Sequence, residues 1–234
     1  MNLLRFGKKA PSSIPLFEPF AVDVFCTEKR IDDVSARMAF PDMPDLQINN
    51  PHVPPIFVVQ VQMPSETPPL FTTKEDGPGW ALVMYFKMTQ DTCNQINNIS
   101  TASPAVKLFA LWAEKAQTDP TWRSRFKVIA SCLNLEELGM PSVVINFNAK
   151  PVLIRRTGSV FKGPRYLEMC IHVHKFANLA KQSIHLVTSR AGLMYMECGF
   201  VIEGRNDDEL PETLICCAAI NRPQEDNQVF LFEE

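Results

Sequence analysis

The sequence predicts an α+β fold: a mostly antiparallel, curved β-sheet packed against one long helix (about 176–196) and a shorter helix (about 104–116). Short runs rich in β-branched and aromatic residues, bounded by proline clusters, recur along the chain. Only a few segments carry the three- and four-residue apolar spacing of a helix that packs on one face. Helices do not alternate with every strand, which disfavours a parallel, doubly wound sheet.

Taken in order, AVDVFC (21–26) alternates, with Val22, Val24 and Cys26 on one face and Ala21, Asp23 and Phe25 on the other. IFVVQVQ (56–62) and WALVMYFKM (80–88) are strand-like neighbours separated by a loop that ends in DGPGW, and they are expected to pair. The prolines at 11–19, 41–55 and 64–78 supply no ladder donors and are read as extended connections. SPAVKLFALWAEKA (103–116) opens with Ser103 as N-cap and Pro104 at the first helical position, where a missing N–H costs nothing. Asp119 and Pro120 mark its end. Further strands are expected at 126–132, 143–147, 167–174, 198–204 and 213–220. Between them Phe176, Ala180, Ile184, Val187, Ala191 and Met194 trace one helical stripe, with Gly192 an unfavourable residue inside it. No linker divides the chain, so residues 1–234 read as one domain with an N-terminal extension (1–14) and a C-terminal tail (223–234).

Composition bounds function. The chain has 234 residues, 46% of them hydrophobic, which is ample for a packed core. A formal net charge of -3 gives no global attraction to nucleic acid. The 7 cysteines are an odd number without CxxC spacing and read as reduced, buried thiols of a cytosolic or cytosol-facing protein. The opening MNLLRFGKKAPSSIP lacks the apolar core of a secretory signal, and WALVMYF is far too short to span a bilayer.

Several clusters invite chemistry. His172 and His174, with Glu168 and Cys170, alternate onto one face of a strand, but two imidazoles lack further ligands nearby, so the expectation is a polar sheet face or the wall of a cavity, with no metal. Adjacent Cys216 and Cys217 point to opposite faces and read as packing. No nucleophile elbow, phosphate loop or dinucleotide fingerprint occurs, so neither an enzyme nor a cofactor is expected. The acidic knot RNDDELPE (205–212) reads as a solvated turn, since five clustered carboxylates, Glu203 included, resist burial. The opposite charge lies in KPVLIRRTGSVFKGPR (150–165): Lys150, Arg155, Arg156, Lys162 and Arg165 stand among apolar residues, with no acid from 138 through 167. Such a mixture suits an anionic lipid surface. In the tail DNQVFLFEE, Val229, Phe230, Leu231 and Phe232 form an apolar patch suited to docking on a partner.

The blocks AVDVFCTEKRIDDVSAR (21–37), IFVVQVQMP (56–64), GWALVMYFKM (79–88), SRFKVIASCLN (124–134), KPVLIRR (150–156), YLEMCIHVHKFANLAKQSI (166–184) and FVIEGRNDDELPE (200–212) together resemble the C-terminal domain of the plant protein Enhanced Disease Resistance 2 and its algal and protist relatives. In plant relatives this domain follows a pleckstrin-homology module and a lipid-binding START module, neither of which is expected within residues 1–234. The resemblance implies no catalytic residue, and the phosphoinositide binding of relatives belongs to one of those modules. What it implies is a noncatalytic lipid- or membrane-associated domain, holding an apolar ligand in a cavity. The alternative is an accessory subunit that works by protein contact. The expected partner is accordingly a lipid or anionic membrane surface, or a protein complex, and not nucleic acid.

Overall fold

The computed structural model describes residues 14–66, 75–222 and 229–231. It is a mixed α+β structure of two sheets, where the sequence suggested one curved sheet. The first contains β1 (Phe17–Thr27), β2 (Ile56–Pro64), β3 (Gly79–Met88), β6 (Gly158–Lys162), β7 (Tyr166–His172) and β10 (Val229–Leu231), in the order β10-β1-β3-β2-β7-β6. The second contains β4 (Phe126–Cys132), β5 (Pro151–Leu153), β8 (Tyr195–Ile202) and β9 (Leu214–Asn221), in the order β5-β4-β8-β9. Most pairings are antiparallel, as expected; β1 with β10 and β2 with β7 are parallel. The expected pairing of 56–62 with 80–88 is present.

Alternation along the strands decides which side chains meet. Phe57, Val59, Met84, Phe86, Leu167, Met169 and Ile171 point inward to a core shared with Phe126, Phe200, Ile202 and Cys216 of the second sheet. Phe86 meets Phe200 at 6.1 Å between ring centroids, and Phe57 meets Phe126 at 6.2 Å. α1 (Gln90–Asn97) and α2 (Pro104–Lys115) close this end, and α2 buries Val106, Phe109 and Trp112 against the rings. The predicted cap is present: Ser103 Oγ accepts from Val106 N–H at 3.4 Å, with Pro104 following. Asp119 then caps the short α3 (Pro120–Arg123) through Thr121 N–H at 2.7 Å.

The other face of the first sheet is covered too. Ile56, Val58, Val83, Tyr85 and Tyr166 pack under Val34, with Ile31, Met38, Phe40 and Met43. The segment from Ile31 to Met43 therefore folds back over this face, while Leu46, Ile48 and Val53 pack into the core on the other side, and β7 is buried along its whole length.

Three element assignments differ from expectation. The long helix is short: α5 runs Asn178–Thr188, a 3-10 turn follows at Ala191–Leu193, and Tyr195 already begins β8. The apolar stripe through Ala191 and Met194 competes with alternation in YMECGFVI, and pairing of β8 with both β4 and β9 resolves it in favour of the strand. The run at 143–147 is helical, α4 (Ser142–Phe147), because the edge of β4 is taken by β5. The 167–174 strand stops at His172, and His174 lies in a 3-10 turn.

Candidate functional site

The five basic residues differ in exposure and in partners. Lys150 is exposed between α4 and β5, its Nζ 5.8 Å from the Phe147 ring centroid, and Arg155 and Arg156 are exposed in the crossover from β5 to β6. Lys162 ends β6, some 13 Å along the strand at about 3.3 Å per residue. Burial pushes its pKa down against the attraction of Glu114. Arg165 pairs with Asp42 at 2.9 Å and donates to the Pro41 carbonyl. Lys150, Arg155 and Arg156 are exposed, whereas Lys162 and Arg165 are half-buried.

Part of the tail is taken into a strand. Val229, Phe230 and Leu231 form β10 and pair in parallel with Val24, Phe25 and Cys26 of β1; Phe232 lies outside the described residues. The acidic knot is likewise more than a solvated turn. Asp207–Glu209 forms a 3-10 turn closed by a capping box with Asn206. Glu209 is buried and takes both oxygens to Arg125 Nη1 at 3.0 and 3.1 Å, while Glu212 accepts from Lys127 Nζ at 2.7 and 2.8 Å. Arg125 in turn lies over the Trp122 ring at 4.0 Å. Burial pushes Glu209 up, but the Arg205 N–H and the Arg125 guanidinium hold its carboxyl below the usual range. The knot pins the end of β8 to β4.

The covered face of the first sheet concentrates the polar groups. Glu168, Cys170 and His172 of β7 stand beside Val58, Gln60 and Gln62 of β2 by parallel register. Ser35 N–H donates to Glu168 Oε2 at 2.9 Å, and Glu168 Oε1 has no partner among the described residues. Burial pushes Glu168 up to about 7. Cys170 Sγ donates to Gln60 Oε1 at 2.9 Å and accepts from Gln62 Nε2 at 3.0 Å. His172 Nε2 lies 3.1 Å from Ser159 Oγ and 3.8 Å from Asp32 Oδ1, while its Nδ1 is 3.5 Å from Cys170 Sγ. Burial pushes His172 down to about 4 and holds the Cys170 thiol well above its ordinary value. His174 leaves this face: its ring packs near Gly79, where an added Cβ would meet Cε1 at 3.1 Å. The two imidazoles predicted to share a face are separated by the 3-10 turn. Asp32 takes the place beside His172, and no local spacing announces it.

A second locale lies between the sheets, away from the aromatic end. There Val22, Val61 and Leu82 of the first sheet and Val128, Cys198 and Ile220 of the second are only half-buried, although they point inward. Ala130, on the same inner face of β4, is exposed. α5 spans this end. It touches β2 on one side, and Leu186 and Val187 pack with Cys132, Leu135, Met140 and Met194 on the other. Lys181 Nζ donates to the His174 carbonyl at 3.3 Å. Lys181 is the one fully buried residue of α5; Ala180, Ile184 and Val187 stay half-buried. Two surface concavities of ≈ 340 and ≈ 250 Å³ lie elsewhere, around Asn50, and the second includes Lys162. No described helix is long and apolar enough to cross a membrane.

The chain matches the family described as Protein ENHANCED DISEASE RESISTANCE 2, C-terminal, over residues 2–223. That span takes in both sheets, the covered polar face and α5, and the chain belongs to this family. No curated protein and no solved structure gives a match.

Proposed function

We propose that this member of the Enhanced Disease Resistance 2 C-terminal family is a noncatalytic, lipid-associated domain. Its apolar ligand would lie between the far ends of the two sheets, beneath α5. The observation that carries this reading is the half-burial of inward-facing Val61, Leu82, Val128, Cys198 and Ile220 under a helix whose own apolar residues are also only half-buried. A packed interior leaves few voids, so apolar side chains that point inward yet keep water contact favour a guest of the same chemistry. Lys150, Arg155 and Arg156 would meet anionic headgroups, each adding on the order of 1 kcal/mol near a charged surface. The free thiols suit a reducing, cytosol-facing location. Cys170, buried with a raised pKa, is poorly suited to act as a nucleophile, which favours binding over chemistry.

Flotation with vesicles of phosphatidylcholine, with and without phosphatidylserine, tests the surface. The native chain should float with the anionic vesicles, and the Arg155→Glu, Arg156→Glu variant should remain in the dense fraction. Equal flotation of both proteins would remove the assigned role of the crossover. Ala130→Phe tests the interior, since a side chain added there should displace a bound fluorescent fatty acid with no loss of melting temperature.

A second reading, an accessory subunit acting by protein contact, draws on a different feature. Leu133, Phe147 and Leu193 are 66%, 67% and 58% exposed at one end of the second sheet. Hydrogen bonds bring them together: Asn148 exchanges bonds with Cys132, and Asn134 Nδ2 donates to the Leu193 carbonyl. Under this reading the Leu133→Glu, Phe147→Glu variant loses partners in a pull-down while vesicle flotation is unchanged.

A further inference from the structure

We propose that Asp32, Cys170 and His172 form a zinc site that ties the segment preceding Val34 to the covered face of β7. The three donor atoms lie within 4.8 Å of one another. Tetrahedral zinc, with bonds of roughly 2.0 Å to nitrogen and oxygen and 2.3 Å to sulfur, needs donors roughly 3.3–3.8 Å apart. The Cys170 Sγ to His172 Nδ1 approach of 3.5 Å is already in that range, whereas the 3.8 Å approach of Asp32 Oδ1 is to the other ring nitrogen, Nε2, so zinc held on Nδ1 requires the carboxylate to come round to the thiol side. Cys170 and His172 are fixed by strand register, two residues apart on one face of β7. Asp32 sits on a loop, with its side chain 43% exposed, so its carboxylate can swing toward the thiol. Thiolate, imidazole and carboxylate are a donor set that zinc accepts, and Ser159 Oγ, 3.1 Å from Nε2, would fix the ring from its other edge while Nδ1 faces the thiol.

The surroundings give an independent reason. Gln60 is fully buried, and its Nε2 has no partner among the described residues, because its Oε1 must accept from the Cys170 thiol. A thiolate removes that requirement. Turning the Gln60 amide over would direct Nε2 to the sulfur, so that Gln60 and Gln62 both donate to it, as outer hydrogen bonds commonly do around a metal thiolate. The same turn gives that donor a partner and leaves a carbonyl oxygen in its place, an orphan that buried sites tolerate better than an N–H. The neighbouring charges are Arg30, whose Nε is 3.3 Å from Asp32 Oδ1, and Lys175, His174 and Glu168. The Arg30 guanidinium also donates from Nη2 to Asp32 Oδ2 at 3.4 Å, while its backbone N–H donates to Asp76 Oδ1, and a carboxylate oxygen can serve a guanidinium and a metal together. One zinc ion with one thiolate and one carboxylate is charge-neutral, which suits a covered site.

This inference stands apart from the lipid reading and is tested separately. The full chain is purified, stripped by dialysis against a chelator, and titrated with zinc alone and with cobalt(II) alone. We expect one equivalent of zinc, a rise in melting temperature on its addition, and a cobalt spectrum with a near-ultraviolet thiolate charge-transfer band and strong tetrahedral ligand-field absorption. Cys170→Ser should abolish the charge-transfer band. Asp32→Ala, a change at a half-exposed loop position, should leave the circular dichroism unchanged and weaken zinc binding at least ~10-fold. Substoichiometric zinc at saturation, a cobalt complex without the thiolate band, or undiminished affinity in Asp32→Ala would each overturn the proposal. Should Cys170→Ser fail to fold, the cobalt spectrum of the native chain and the affinity of Asp32→Ala decide.

Discussion

Glu168 and His172 lie on the same covered face of β7 and respond to pH in opposite senses. Burial raises Glu168 from 4.5 to about 7, so between those values the folded chain binds more protons than the unfolded one, and stability falls as pH rises. Burial lowers His172 from 6.5 to about 4, so over that range the unfolded chain binds more protons, and stability rises with pH. In the metal-free chain the two slopes largely cancel, each being worth about 3 kcal/mol across its window. Glu168→Gln should therefore leave a chain that gains stability from pH 4 to 6.5, and His172→Gln one that loses it from pH 4.5 to 7. Urea unfolding at a series of pH values checks both; parallel profiles for the two variants would contradict the assignment. At the knot, Glu209→Ala leaves Arg125 buried without its carboxylate partner and should destabilise by about 3–5 kcal/mol, whereas the double change with Arg125→Met should recover much of that loss. Thermal melts of the single and double variants decide it.

At the scale of elements, the two main helices should differ sharply in opening. α2 buries six residues, Val106, Leu108, Phe109, Ala110, Trp112 and Ala113, whereas α5 buries only Lys181. Hydrogen exchange should find the amides of α5 opening well below the global unfolding free energy and those of α2 near it. Equal protection would contradict the loose seating of α5. The same contrast explains what could be read in advance. α2 was legible because Ser103 and Pro104 announce its start and Phe109 and Trp112 repeat on one face, so local chemistry and core agree. The strands 56–62 and 80–88 were legible because alternation and β-branching agree with a face that is buried. α5 was over-extended because Ala191 and Met194 continue a helical stripe that only tertiary pairing of β8 overrules. α4 looked like a strand because five residues are too few to separate the two periods. Of the polar site, Glu168, Cys170 and His172 were visible as a period-two set. Asp32 was not, because its place depends on a long loop folding over the sheet, and no spacing encodes that.

For the molecule as a whole, two features follow from sheets that meet at an aromatic end and are bridged by α5 at the other. The outer edge of β1 is covered in parallel by β10, which returns from the C-terminal segment. Truncation after Arg222 should expose the β1 backbone between Val24 and Cys26, lower the melting temperature by several degrees, and promote self-association through the open edge, as read by light scattering. A monomer with an unchanged melt would contradict that closing role. Phe57→Ala, at the meeting point of the sheets and α2, should destabilise by about 3–5 kcal/mol. Ala130→Phe, on the same inner side of the fold but at the open end, should cost little. The most direct measurement of the lipid account is native mass spectrometry of the chain purified from its own cells, with Ala130→Phe prepared in parallel. The native chain should carry an added mass that collisional activation releases as a lipid, and the variant should carry none. A native chain free of lipid, or the same adduct on both proteins, would contradict it.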